Sequence, residues 1–249
     1  MSDTKVKNNQ EIKDIKTSGR MLASVLELVG KNVAVGCSPI ELANIARQEV
    51  RALGGIPTFL GMYGFPDVIC ISVNDEIVHG IPQKNPIKSG DIVSFDFGVT
   101  YNGMITDAAR SVIAGSASPQ ATRLLRGTLE SLDAGIDVLK DGVRVGDISQ
   151  AIEKVLKNYG FGIVRELVGH GVGHELHEEP NIPNYGPAGK GPILKAGMTI
   201  AIEPMTTLGS HAITTDSDGW TIRTEDGSLA AHFEDTVLIT KAGYEILTR

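Results

Sequence analysis

Asp96 lies between Phe95 and Phe97 in an apolar run, GDIVSFDFG, and a carboxylate buried there without a partner is strongly unfavourable. That setting weighs against Asp96 being an ordinary solvated hairpin aspartate. Four more residues of metal-ligand type sit in apolar or glycine-rich contexts: Asp107 in MITDAARS, His170 in VGHGVGHELHEEP, Glu203 in AIEPM and Glu234 in HFEDT. Four carboxylates and one imidazole suit a pair of divalent first-row metals such as Mn, Fe or Co. A single zinc held by thiolates or several histidines would be built differently. Four carboxylates gathered in one pocket repel one another unless roughly four positive charges sit among them, which two dications supply. The chain is therefore expected to bring five distant positions together.

The first two of these positions can be placed by geometry. GDIVSFDFGVTYNGMITDAARSVI reads as a hairpin around Asn102-Gly103, the residue pair favoured in a two-residue type I′ turn. That turn sets Asp96 opposite Ala109, with Asp107 two places from Ala109 on the same face. Diagonal neighbours stand about 7–8 Å apart, close enough for both side chains to reach metals separated by about 3.5–4 Å.

The rest of the chain follows one order twice, helices first and strands after. Residues 18–34 read as an amphipathic helix. A second begins at Ser38-Pro39-Ile40-Glu41, where Ser caps, Pro takes the first helical position and Glu completes a capping box. It ends near Gly54-Gly55. IPTFLGMYGFPDVICISVNDEIVHGIP then alternates turn residues with short apolar runs, as strands and loops do. In the second half one helix is expected from Ser118-Pro119 to about Leu139, another from Asp147 to about Asn158, then strands to the end. Gly55 and Gly160 would close the second helix of each half, offset by roughly 105 residues. No Pro-, Gly- or Ser-rich linker divides the chain. The expectation is one α+β domain over residues 1–249, with pseudo-equivalent halves at about 10–115 and 116–249.

Composition narrows the function classes. A formal net charge of −7 and the lack of any Lys/Arg-rich run argue against nucleic-acid binding. Cys37 and Cys70 are the only cysteines, too few for a disulfide framework, so a reducing compartment is expected. The first twenty residues carry no apolar h-region, and no apolar stretch is long enough to span a bilayer. A cytoplasmic protein is expected.

The segment from Gly169 to Pro180 holds His170, His174 and His177. HELH resembles H-E-x-x-H, but its second His comes one residue early and Gly169, Gly171 and Gly173 oppose a helix. A glycine-rich turn carrying imidazoles close to a ligand is the better reading, with His174 the most structural of the three. Glu203 ends the apolar run MTIAIEP. Glu234 lies in HFEDTVLIT, a strand whose alternation puts it on one face with His232. Either glutamate alone would pass for a solvated carboxylate; with Asp96, Asp107 and His170 the metal reading prevails.

These stretches, together with NDEIVHGIP around His79, GHGVGHELHEEPNIPNYG, GMTIAIEPM and DGWTI around Trp220, resemble in order and spacing the type I methionine aminopeptidases. The resemblance runs from about residue 10 to the C-terminus and is closest to the short bacterial form. It implies a pita-bread fold, two pseudo-symmetric α+β halves around a dinuclear metal site. It makes Asp96 a ligand of one metal, Asp107 and Glu234 bridges, and His170 and Glu203 ligands of the other. A bridging water or hydroxide would be the nucleophile. Glu203 would also move its proton as general base and then acid. His79 matches a histidine near the leaving amine, and His177 one that hydrogen-bonds the scissile carbonyl. The implied reaction is hydrolytic removal of the initiator methionine from peptides and nascent chains with a small second residue. Two divalent ions of the Co, Mn, Fe, Zn or Ni class would serve. A monomer, working at the ribosome, is expected.

Phe59, Met62, Phe65, Cys70 and Trp220 match the family's methionine pocket by position, with Leu176 nearby; an unbranched thioether needs such an apolar slot. The chain departs from the family at several points. Met62 and Phe65 stand where tyrosines are common, Leu176 where a phenylalanine is, His232 where a glutamine is and Asp235 where a histidine is. His232 is expected to tune the site through its neighbours or to titrate close to it. Two other readings compete. A proline-specific peptidase on the same fold usually carries an extra N-terminal domain, for which the 78 residues before His79 leave no room. A catalytically weak or altered-specificity paralogue acting as a peptide-binding module usually loses metal ligands, and all five remain.

Overall fold

The computed structural model describes residues 6–249, so the first five residues of the expected domain lie outside the described residues. Helix α1 spans Asn9–Asn32 and α2 spans Pro39–Ala52. Helix α1 starts well before the expected residue 18. Asn8 caps it, accepting from the Gln10 and Glu11 amides, and Glu11 returns a bond to the Asn8 amide. Its first two turns carry only Ile12 and Ile15 among polar residues, a sparse apolar signal. Ser38 and Glu41 form the expected capping box of α2. Its end differs by one residue: Gly54, not Gly55, takes the left-handed φ of 83°.

Short strands β1 (Ile56–Pro57), β2 (Cys70–Val73) and β3 (Glu76–Val78) precede the hairpin of β4 (Ile92–Tyr101) and β5 (Met104–Ile113). Asn102 and Gly103 both take positive φ, 48° and 79°, as a type I′ turn requires. The register follows from it: Asp96 pairs with Ala109 and Gly98 with Asp107. Strands β1 and β2 pair with opposite ends of the other edge of β4. Because side chains alternate across a strand, Phe95, Phe97 and Val99 face α1 and α2, where they pack with Leu22, Val25, Leu42 and Ala46. Asp96 therefore points to the opposite face.

The second half begins with α3 (Pro119–Asp137), capped by Ser118, and α4 (Val145–Tyr159), closed by left-handed Gly160. There follow β6 (Gly162–Ile163), β7 (Gly169–Gly171), β8 (Glu178–Ile182), β9 (Thr199–Ile202), β10 (Met205–Thr207), β11 (Ile213–Thr215), β12 (Ile222–Thr224), β13 (Ala230–His232), β14 (Asp235–Ile239) and β15 (Tyr244–Ile246). Strands β15, β14, β9, β7 and β8 lie side by side in that order. Leu124, Leu132, Ile148 and Ile152 of α3 and α4 pack with Ile200, Ile202, Val237 and Ile239 of this sheet. Each half is thus a helix pair laid on antiparallel strands, and the site lies where the two sheets meet.

Two local expectations need correction. HFEDTVLIT is not one strand. It breaks at Phe233-Glu234, with β13 paired to β10 and β14 to β9, and Glu234 meets Ala109 of β5 across an isolated bridge. Gly169–Gly171 is a strand, not part of a turn; the turn follows it, from Val172 to His177. Cys37 is half-buried against the core of the first half, and the Ala34 amide donates to its Sγ.

Candidate active site

The floor of the site is assembled by backbone pairing. Asp107 is fixed from both sides of its peptide: its N–H donates to Thr236 Oγ1 at 2.9 Å, and that hydroxyl donates to the Asp107 carbonyl at 2.7 Å. Glu234 is tied to the same strand by reciprocal bonds with Ala109, of 3.0 and 3.3 Å. Arg110 donates to the Glu234 carbonyl and, at 2.7 Å, to Asp235 Oδ1. Glu203 follows β9 directly, its carbonyl accepting from Asn184 at 3.0 Å. His170 sits in the middle of β7, and its Nδ1 lies 3.0 Å from the Gly171 carbonyl. Donation from Nδ1 leaves Nε2 free as a ligand, the arrangement in which metal-binding histidines are usually held.

Asp107, His170 and Glu234 each present a ligand atom within 4.8 Å of the others. His170 Nε2 is 3.5 Å from Glu203 Oε1, and Asp96 lines the same pocket. Asp96 Oδ1, Asp107 Oδ1 and Glu234 Oε1 are buried without a hydrogen-bond partner. Burial pushes the carboxyls of Asp96, Asp107, Glu203 and Glu234 above their ordinary range, and mutual repulsion adds to this for Asp107, Glu203 and Glu234. Burial, with the neighbouring His177, holds His170 neutral, at about 3. Orphaned acidic oxygens around a neutral imidazole nitrogen are the donor set of a hard-to-borderline dication. The residues present fit such ions.

Over this floor stands an apolar wall. Phe59, Met62, Phe65, Cys70, Leu176 and Trp220 line the pocket, with His79 and His177 between wall and floor. Phe65 meets Trp220 edge to face, ring centroids 5.2 Å apart. Asp218 accepts from the Trp220 and Thr221 amides and so fixes the turn that presents the indole. Gly98, opposite Asp107, lets Phe59 approach: a Cβ there would stand 2.8 Å from Phe59 Cε1. His79 takes a φ of 59°, a left-handed backbone that a non-glycine residue keeps only when its surroundings enforce it. The Gly80 backbone supplies that, pairing with Ile71 and the Ser72 hydroxyl. His177 packs edge-on to His170, centroids 4.5 Å apart. Burial lowers the pKa of both His79 and His177, so each is neutral near pH 7.

The structure thus gathers all twelve residues singled out as metal, catalytic or pocket positions. His174 points away from the pocket, its Nε2 3.0 Å from Glu11. His232 is buried behind the glutamates, Nε2 3.8 Å from both Glu203 Oε2 and Glu234 Oε2. Tyr63 was missed by sequence reasoning. It lines the mouth of the pocket yet is 82% exposed, with a φ of 50°; its place between Gly61 and Gly64 was the available signal.

Comparison with known proteins agrees with this geometry. The metallopeptidase family M24 profile matches residues 13–241. A methionine aminopeptidase of Clostridium perfringens is 45% identical over 98% of both chains, and methionine aminopeptidase 1 of Bacillus subtilis is 46% identical over 98% of both. The crystal structure of a methionine aminopeptidase from Thermotoga maritima superposes with a TM-score of 0.97 at 42% identity, covering 99% of each chain. The fold is the pita-bread fold of that family. The chain belongs to metallopeptidase family M24 and, within it, to the methionine aminopeptidases.

Proposed function

We propose that the protein removes the N-terminal methionine from peptides and nascent chains by hydrolysis, preferring a small second residue. The observation that carries this reading is the juxtaposition of an acidic floor with orphaned oxygens and an apolar wall of Phe59, Met62, Phe65, Cys70, Leu176 and Trp220. Asp96, Asp107, His170, Glu203 and Glu234 would hold two divalent ions of the Co, Mn, Fe, Zn or Ni class, with Asp107 and Glu234 at the centre of the donor cluster. When bound, such a pair supplies Lewis-acid activation of a water molecule near neutral pH.

The chain's own residues do the rest. Glu203 takes a proton and returns it to the departing amine. His177, neutral, donates to the scissile carbonyl oxygen as negative charge develops there. His79 faces the amide nitrogen that leaves. Phe59, Met62, Phe65, Cys70 and Trp220 enclose the methionine side chain, with Leu176 beside His177. Met62 and Phe65 offer no hydroxyl, so the slot selects by shape and apolar contact alone. The protein is read as a monomer that meets nascent chains at the ribosome in the cytoplasm, a setting that suits the free thiols of Cys37 and Cys70.

Competition between Met-Gly-Met, Leu-Gly-Met and Met-Trp-Met peptides tests the reading. Metal-loaded protein should release methionine from the first at least about tenfold faster than it cleaves the other two, as one misfitted side chain commonly allows. Binding of all three without cleavage would favour a peptide-binding module instead.

A further inference from the structure

Lys7 and Glu178 form an ion pair at 3.0 Å with side chains 0% and 1% exposed. Such a pair is a poor device for stability, since desolvating two charges offsets most of their attraction. Its position suggests another use. Glu178 follows His177, and its two oxygens are divided. Oε1 accepts the amides of His174 at 2.7 Å and Glu175 at 3.2 Å, closing the 173–178 turn on itself. Oε2 receives Lys7. The lysine stem lies across Gly173, whose φ is 151° and where a Cβ would fall 2.4 Å from Lys7 Cε. The backbone at either end is held as well: the Lys7 N–H donates to the Gly197 carbonyl at 2.8 Å, and Ile105 donates to the Gly173 carbonyl at 2.7 Å. A second clasp sits outside the first. Glu11 places Oε1 3.0 Å from His174 Nε2 while its Oε2 caps the start of α1.

We propose that residues 7–11 form a strap that positions His177. Lys7, acting through Glu178, sets the turn so that the imidazole stands over the floor; Glu11, acting through His174, steadies it from outside. The inference rests on the role given to His177 above. It assigns a purpose to His174 and makes assembly of the active site depend on a segment remote from it in sequence. Lys7 touches no reacting atom and is a positioning residue.

A double-mutant cycle tests this. Lys7→Met should lower kcat about tenfold on Met-Gly-Met with KM changed less than about threefold. His177→Ala should lower kcat about a hundredfold, as loss of one oxyanion donor commonly does. Because Lys7 acts through His177, the double variant should match His177→Ala within about twofold. Lys7→Arg should recover most of the loss. Circular dichroism establishes that each variant is folded. Should Lys7→Met fail to fold, Lys7→Met/Glu178→Gln, which removes both charges of the pair, replaces it in the same cycle. Multiplicative losses in the double variant would overturn the proposal, as would an unchanged kcat in Lys7→Met. If wild-type protein loaded with Mn(II) or Co(II) releases no methionine, the role of His177 fails and the strap falls with it.

Discussion

The floor and the wall of the pocket are built by different means. Every acidic residue of the floor sits on or beside a paired strand, and Asp107 and Glu234 are held by bonds to their own peptide groups. The wall is made largely of loops. Met62 lies in a single 3-10 turn between positive-φ glycines, and Trp220 hangs from a turn fixed by Asp218. Ladder pairing fixes ligand atoms to a fraction of an ångström, while loops change shape at little expense to the core. The chemistry is thus placed on what cannot drift and the selectivity on what can.

The contrast can be broken by mutation, and the largest effect is expected on the floor. Asp107→Ala should abolish metal retention after gel filtration and lower kcat by at least about a thousandfold, as removal of groups that act as one catalytic unit does. Metal analysis by mass spectrometry reads the first directly. One step back, His232 faces both glutamates. His232→Leu should weaken metal binding about tenfold to a hundredfold, the usual consequence of losing a ligand's neighbour, while His232→Gln, which keeps an N–H, stays within about threefold of wild type. Equal affinities for wild type and His232→Leu would remove His232 from the floor altogether.

Acidity offers a third test. Burial raises Asp96 to about 7, so the metal-free fold keeps a proton that the unfolded chain releases near its ordinary value of 3.8. The stability this lends is complete below that value and is lost as pH rises through about 7. Burial lowers His170 and His232 to about 3. Their contribution is present above the unfolded value of 6.5 and is lost as pH falls toward 3. Metal-free protein is therefore caught between opposing slopes. Dications bound there would replace the carboxylate protons and remove the alkaline slope. The rise in Tm on adding Mn(II) should grow between about pH 6 and pH 8; a rise independent of pH would mean that the carboxylates carry no protons to displace. The smallest effect belongs to the rim. Tyr63→Ala should leave Tm within about two degrees, as exposed positions usually do, and change kcat/KM on tripeptides by less than about threefold. A loss approaching that of Asp107→Ala would erase the distinction between floor and wall.

The same division explains what the sequence discloses. Asn102-Gly103 determines a turn type, the turn determines a register, and the register places Asp96 and Asp107 without any knowledge of the fold. Ser38-Pro39 and Ser118-Pro119 mark helix starts because capping is local. The break at Phe233-Glu234 is not legible, since β13 and β14 answer to partners, β10 and β9, that alternation within the strand does not reveal. The early start of α1 rests on a sparse signal, Ile12 and Ile15 alone among polar residues. Lys7 and Glu178, separated by 171 positions, carry no local signature: each reads as a surface charge until the fold buries both. Tyr63 is concealed by the opposite fact, that an exposed ring beside glycines looks like an ordinary loop residue.

The most direct test of the dication floor is a titration of metal-stripped protein with Mn(II) or Co(II), following bound metal and methionine release from Met-Gly-Met in the same samples. Release should be absent from stripped protein and rise in step with occupancy of the acidic floor. Full activity in the stripped protein, or metal bound at that floor with no methionine released, would contradict the account.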